Sequence, residues 1–283
     1  MEDKNQTAVT EFLFLGLTDH LYQLHTPMYF FLSHLSFVDL CSSPSIAPKM
    51  LCDIFVKKRS IPFTGCAAQM FFFGLFVATE CFLLASMAYD LYTAICKPLL
   101  YTLIMSQRVS VQLVIGPYAV ALISTMTHTS LTFCLPFCGP NVINHFFCDI
   151  SPLLSLACAD TWINKLVLFT LAGAIGVLSG LIIMISYVCI LVAILRIQTA
   201  NGRRKAFSTC SSHLAVVSIL GGTLFFNYVR PSSCSSLDIN KVISLFYTLI
   251  TPMLNPLIYS LRNKEVKNSF STKFERKNCP IGR

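Results

Sequence analysis

The chain has 283 residues, 54% of them hydrophobic and 12% charged, with a net charge of +8. Soluble domains are about a quarter charged, so a mean hydropathy of +0.66 excludes an ordinary soluble enzyme or binding module and points to a polytopic membrane protein. The positive charge does not indicate nucleic acid: seven of the 21 basic residues lie after Leu261, in a tail suited to cytoplasm and anionic lipid.

Residues 1–26 are polar apart from a short apolar run at 12–17, too short for a signal core or a span, and no cleavable signal peptide is visible. Asn5-Gln6-Thr7 is an N-glycosylation acceptor triplet. The first predicted span covers 28–46 and contains Asp39. A charge at mid-bilayer costs at least ~2.5 kcal/mol, so Asp39 should face the bundle interior and have a partner. Pro44 and Pro48 should bend or end this helix. A basic loop at 57–59 follows, then a second span over 66–89 with Glu80 inside it. Two carboxyls on adjacent helices either hold a cation, share a proton, or are separately hydrogen-bonded.

The third predicted span is 110–126. The polar segment 127–164 then carries Cys134, Cys138, Cys148 and Cys158 but no Lys or Arg, which places it outside the cytoplasm, where cysteines can pair. His145 lies near Cys148, but no second pair of ligands has metal-site spacing. Residues 166–195 contain no charge. Such a helix is ~45 Å long against a ~30 Å bilayer core and should protrude. The fifth and sixth spans are 206–228 and 242–261, the latter with Asn255-Pro256-Leu257-Ile258-Tyr259. With the cysteine-rich loop outside, cytoplasmic segments hold 13 basic residues and outer loops 7, in line with the positive-inside rule. Six spans and an inner C-terminus place Asn5 in the cytoplasm, in conflict with its glycosylation triplet. The fold class is all-α: a polytopic transmembrane bundle of six recognisable spans.

Long motifs now carry a resemblance. Met87-Ala88-Tyr89-Asp90-Leu91-Tyr92-Thr93-Ala94-Ile95-Cys96 resembles the MAYDRYVAIC signature of olfactory receptors, a branch of the rhodopsin-like G-protein-coupled receptors. Thr26-Pro27-Met28-Tyr29-Phe30-Phe31-Leu32, Lys205-Ala206-Phe207-Ser208-Thr209-Cys210-Ser211-Ser212-His213 and Pro252-Met253-Leu254-Asn255-Pro256-Leu257-Ile258-Tyr259 are similar to that family's motifs, in the family's order. Three departures stand out. Leu91 replaces the family's arginine, Leu220-Gly221-Gly222 stands where Phe-Tyr-Gly is common, and the passage from Asp19 to Leu24 leaves no room for the family's first helix. The six spans therefore resemble family helices two to seven of one receptor domain: 1–26 as N-terminal segment, 27–261 as bundle and 262–283 as basic cytoplasmic tail.

The resemblance implies disulfides Cys66–Cys148 and Cys138–Cys158, and a cation-binding (sodium) or protonatable pair at Asp39 and Glu80. It implies an activation switch at Asp90, Leu91, Tyr92, Tyr187, Asn255, Pro256 and Tyr259. An odorant pocket would be lined by candidates Phe73, Gly74, Val77 and Ala78 on one helical face, with Leu171, Ile175, Leu224, Tyr228 and Thr248 on the others. The implied partners are a small volatile odorant, a heterotrimeric olfactory-type G protein and the lipid membrane. No nucleic acid, cofactor or enzymatic activity is implied, and Gly176-Val177-Leu178-Ser179-Gly180 sets its serine one place off a nucleophile elbow. The expected location is the plasma membrane as a multi-pass receptor. The alternative is a non-signalling remnant retained in the endoplasmic reticulum.

Overall fold

The computed structural model describes residues 27–56, 60–138, 142–228, 241–242 and 244–260. For Lys205, Asn227, Tyr228, Tyr247 and residues 256–260 it gives the backbone only. Asn5, the apolar run at 12–17, the 57–59 loop and the tail at 262–283 lie outside the described residues.

The described chain is helical. Its long helices are α1 (Pro27–Phe55), α2 (Phe63–Cys96), α4 (Gln107–Phe133), α6 (Trp162–Arg196) and α7 (Ala200–Tyr228). The short α3 (Tyr101–Ile104) and α5 (Ile150–Leu154) lie between them. The last span enters through a π-helical turn at Phe246–Ile250 and ends in α8 (Thr251–Ser260). Among the described residues the only β pairing is a single bridge, Phe137 to Ala157.

Four of these helices are long and apolar enough to cross a membrane: α2, α4, α6 and the Ala200–Phe226 part of α7. The helices outrun the predicted spans. Pro44 and Pro48 do not end α1, which continues to Phe55. Hydroxyl and amide groups bond backbone carbonyls around the two prolines: Ser43 Oγ to Asp39 O, Ser45 Oγ to Ser42 O, and Gln69 Nε2 of α2 to Ser45 O at 2.8 Å. These bonds hold the turns around the prolines, while the carbonyls that the prolines free are those of Leu40 and Pro44. Helix α4 likewise runs past 126, to Phe133, and its threonines satisfy their hydroxyls on their own turn, Thr125 to Ala121 O and Thr127 to Ile123 O. The Gly221-Gly222 pair does not interrupt α7.

Helix α2 is the central element, packing against α1, α4, α6 and α7. Its Leu83, Leu84 and Met87 meet Phe31, Leu35 and Val38 of α1, Val114 of α4, and Val216 and Leu220 of α7. Ser86 Oγ donates across to Leu113 O of α4 at 3.1 Å. At Gly74 α2 and α4 pack tightly: a Cβ there would lie 2.9 Å from Thr125 Cγ2.

Candidate ligand pocket, buried carboxyl pair and cytoplasmic switch

Three places along α2 gather the candidate residues. At its outer end, Cys66 is joined to Cys148 and fixes the long loop over the bundle. A second disulfide, Cys138–Cys158, closes the loop on itself. Gln69, one turn along from Cys66, strengthens this anchor: its Oε1 accepts the Cys148 N–H at 3.0 Å while its amide reaches α1. Sequence reasoning overlooked Gln69, although an amide near the start of an apolar run is itself a signal. The loop presses Phe147 onto Phe73, ring centroids 5.3 Å apart. Ile46, Val77, Phe146 and Leu224 pack around this pair. Phe73, Val77 and Leu224 are thus gathered under the loop. Gly74 turns to Thr125 of α4 instead, because helix packing rather than a cavity uses its missing side chain. Ala78, Leu171 and Ile175 are half-buried. Thr248 is fully buried and donates to Ser244 O. Tyr228 is helical, with its side chain outside the description.

In the middle of the bundle, Asp39, Glu80 and Asn255 are all buried. Asn255 Nδ2 donates to Asp39 Oδ1 and Oδ2 at 3.2 and 3.1 Å and to Glu80 Oε1 at 2.8 Å. Two amide hydrogens serve three carboxylate contacts, while Asn255 Oδ1 is buried without a hydrogen-bond partner. The cluster is short of donors and rich in oxygen acceptors, the chemistry that suits a hard cation or an added proton. Among the described residues no group of three or more His, Cys, Asp or Glu forms a metal cage, so such a site would consist of two carboxylates and an amide oxygen.

At the end of α2 away from the Cys66 disulfide, Tyr101 Oη donates to Asp90 Oδ1 at 2.8 Å. Burial, together with the neighbouring Asp90 carboxyl, raises the Tyr101 pKa and keeps it a donor. Leu91, 7% exposed, packs with Ile190 and Ile194 of α6 and Cys210 of α7. Tyr92 lies at the edge of that cluster, its ring 5.7 Å from Lys97 Nζ. One turn inward, His213 Nε2 meets Leu84 O at 3.0 Å and Nδ1 meets Tyr187 Oη at 2.8 Å. A carbonyl can only accept, so Nε2 carries the proton in that bond; in the neutral ring Tyr187 then donates to Nδ1. His213 therefore ties α2, α6 and α7 together. In the sequence His213 stands only as the end of the Lys205–His213 motif; its bonds to Leu84 and Tyr187 come from the packing of three helices. The backbone of Asn255, Pro256 and Tyr259 lies in α8; the side chains of the last two are outside the description.

This bundle, centred on one helix with a disulfide-anchored outer loop, defines a rhodopsin-type receptor fold. The crystal structure of squid rhodopsin matches it with a TM-score of 0.66 over 89% of this chain and 72% of that chain, at 19% identity. A family model described as olfactory receptor matches residues 9–277. Human olfactory receptor 5G3 is 70% identical over 314 aligned residues, covering all of both chains, and mouse olfactory receptor 5G29 is 68% identical over the same span. The chain belongs to the olfactory receptor family; it is a multi-pass membrane receptor and not an enzyme.

The human alignment runs to 314 positions while the chain has 283 residues, so 31 positions hold no residue of this chain. The match to mouse olfactory receptor 8U3, 56% identical, spans 247 residues and 87% of the chain, and so runs almost without gaps. The missing stretch therefore lies near one end. The Thr26-Pro27-Met28 and Asn255-Pro256 motifs are both in place, so the gap lies outside the stretch between them; the resemblance of the motifs implies the side ahead of α1. Its length is one membrane helix with its connection.

Proposed function

We propose that this chain is an odorant receptor by descent whose ligand site is retained and whose G-protein switch is held closed. The carrying observation is Leu91, buried against Ile190, Ile194 and Cys210. The family's arginine would bring a charged, five-donor group to this position. A leucine instead joins α2, α6 and α7 through apolar contact and leaves Asp90 to Tyr101. Opening a cytoplasmic cleft for a heterotrimeric G protein of the olfactory type then requires separating that contact, with no guanidinium available to engage the partner.

The ligand class is a small volatile molecule. The cluster of Phe73, Val77 and Leu224 beneath Phe146 and Phe147 supplies apolar walls; Leu171, Ile175, Tyr228 and Thr248 are the further candidates. Asp39, Glu80 and Asn255 form the proposed sodium or proton site, which would couple the ligand end to the switch. Binding at either place shifts the bundle only by its differential affinity for the closed and open states.

The test compares the unmodified chain with Leu91→Arg, measuring odorant-driven cAMP normalised to surface-labelled receptor. The expected result is no response from the first and a response from the second. An efficient response from the unmodified chain overturns the closed-switch reading. Absence of both from the cell surface supports the alternative, a remnant retained in the endoplasmic reticulum, which the 31 missing positions favour. Endoglycosidase sensitivity of Asn5 in the same cells reports the side of the membrane on which the N-terminus lies.

A further inference from the structure

The seam between α1 and α4 holds a cavity of about 350 Å³, lined by Ser33, His34 and Phe37 of α1 and Tyr118 of α4. Its back wall belongs to the core, because Tyr118 packs against the cluster of Leu83, Leu84, Met87 and Val114. Its mouth is on the flank of the bundle, where Ser33 is exposed and Phe37 is 53% exposed. The turn that carries Tyr118 is pinned from α2. Pro117 withholds an N–H from the carbonyl four residues back, that of Leu113, and Leu113 O accepts Ser86 Oγ of α2 at 3.1 Å instead.

Two polar side chains meet at this cavity. The His34 ring lies 4.8 Å from the Phe30 ring and 6.0 Å from the Tyr118 ring, centroid to centroid. Tyr118 Oη is buried and has no hydrogen-bond partner among the described residues. A buried hydroxyl without a partner is costly, so its position beside a cavity calls for a group that can bond it. A neutral imidazole offers one donor and one acceptor nitrogen, and a phenol can do either. Together they suit a single hydroxyl, which accepts from Tyr118 Oη and donates to the unprotonated nitrogen of His34.

The surroundings narrow the ligand. His34 is five residues from Asp39 on the same helix, ~7.5 Å along its axis, so the cavity lies at hydrocarbon depth rather than among headgroups. No charged side chain lines it, which disfavours an anion. On α1 the lining runs only from Ser33 to Phe37, ~6 Å of helix, too short a wall for a rigid sterol. A cavity of ~150 Å³ holds benzene, so this one has room for a body of roughly ten non-hydrogen atoms.

We propose that the α1–α4 cavity is a second ligand site, separate from the Phe73, Val77 and Leu224 cluster under the outer loop, and that it takes a small aliphatic alcohol entering from the bilayer. The alcohol's hydroxyl bridges His34 and Tyr118 and ties α1 to α4. This binding does not depend on whether the chain signals.

The experiment photolabels the full chain in phosphatidylcholine membranes with octanol carrying a diazirine on its chain. Adducts are located by mass spectrometry in material with both disulfides formed. A diazirine octane, which lacks the hydroxyl, and a diazirine sterol are used in parallel. The expected result is alcohol adduct at residues 33–37 and 118 about tenfold above that at Ile185, a 63% exposed position on α6, and about tenfold above the octane's, as a lost hydrogen bond gives. Excess unlabelled octanol abolishes it, and Tyr118→Phe with His34→Phe, which keeps both sites aromatic, lowers it to the octane's level. The octane comparison is made on the unmodified chain and so does not depend on the variant folding. Equal labelling by alcohol and octane, or even labelling along α1, α4 and α6, overturns the proposal. So does sterol labelling of the cavity that octanol fails to displace.

Discussion

Replacing Leu91 with alanine is a direct test of the apolar clasp at the cytoplasmic end. The side chain is 7% exposed and touches a cluster formed by Ile190, Ile194 and Cys210. Leu→Ala changes in well-packed cores cost about 2–5 kcal/mol. The cluster lies at the end of the spans, where opening admits water, so the low end applies, about 2 kcal/mol. If this contact exists only in the closed arrangement, its loss raises the open population about thirtyfold, at 1.4 kcal/mol per decade. Cys210, 3% exposed, lies inside the cluster, so its alkylation reports opening. The assay is site-resolved mass spectrometry of maleimide labelling over time in membranes. The Leu91→Ala chain should label at Cys210 about thirtyfold faster, with Cys81, in the middle of α2, unchanged. A change of less than threefold at Cys210, or an equal rise at Cys81, would refute the clasp, the second by showing general loosening instead.

Three other outcomes are expected. Gly74→Ala should lower thermal stability by about 1–3 kcal/mol through overpacking, because the new Cβ meets Thr125 Cγ2 at 2.9 Å. Adding Thr125→Ser, which removes that methyl and keeps the hydroxyl bond to Ala121 O, should recover most of the loss. Asn255→Leu removes the donor shared by Asp39 and Glu80 and should cost about 1–3 kcal/mol, as leaving buried hydrogen-bonding groups without a partner does; unfolding measured with and without sodium should show an ion effect in the parent chain that is absent in Glu80→Gln. His145, in the outer loop, has its pKa pushed down to about 4, by burial first and by the Lys241 ammonium second. Its imidazole stays neutral in the folded loop while the unfolded chain takes up a proton below about 6.5. Stability should therefore begin to fall below pH 6.5 and finish falling below about pH 4. His145→Gln should flatten that profile, and an unchanged melting curve across pH 7 to 4 in both chains would remove the argument.

Much of the architecture was legible in the residues because a membrane imposes simple rules. Backbone groups in hydrocarbon must be bonded within a helix, so apolar length located the helices, four of which are long and apolar enough to cross a membrane among the described residues, and the order of family motifs identified them. The ends were less legible. Serine, threonine and proline read as breaks in a sequence, yet α1 and α4 run through them, with their hydroxyls and Gln69 bonded to nearby carbonyls rather than left bare. The buried carboxyls Asp39 and Glu80 announced a polar site by their cost. Only three-dimensional packing decided that Asn255, 216 residues from Asp39 in sequence, is the amide they share. Helical spacing placed Gly74 beside Phe73, but packing against α4 sent it to Thr125. The substitution at Leu91 could be read against the family motif. Tertiary structure alone decided its surroundings, an apolar contact with α6 and α7. Sequence order records which groups are present, whereas their neighbours depend on how separate helices meet.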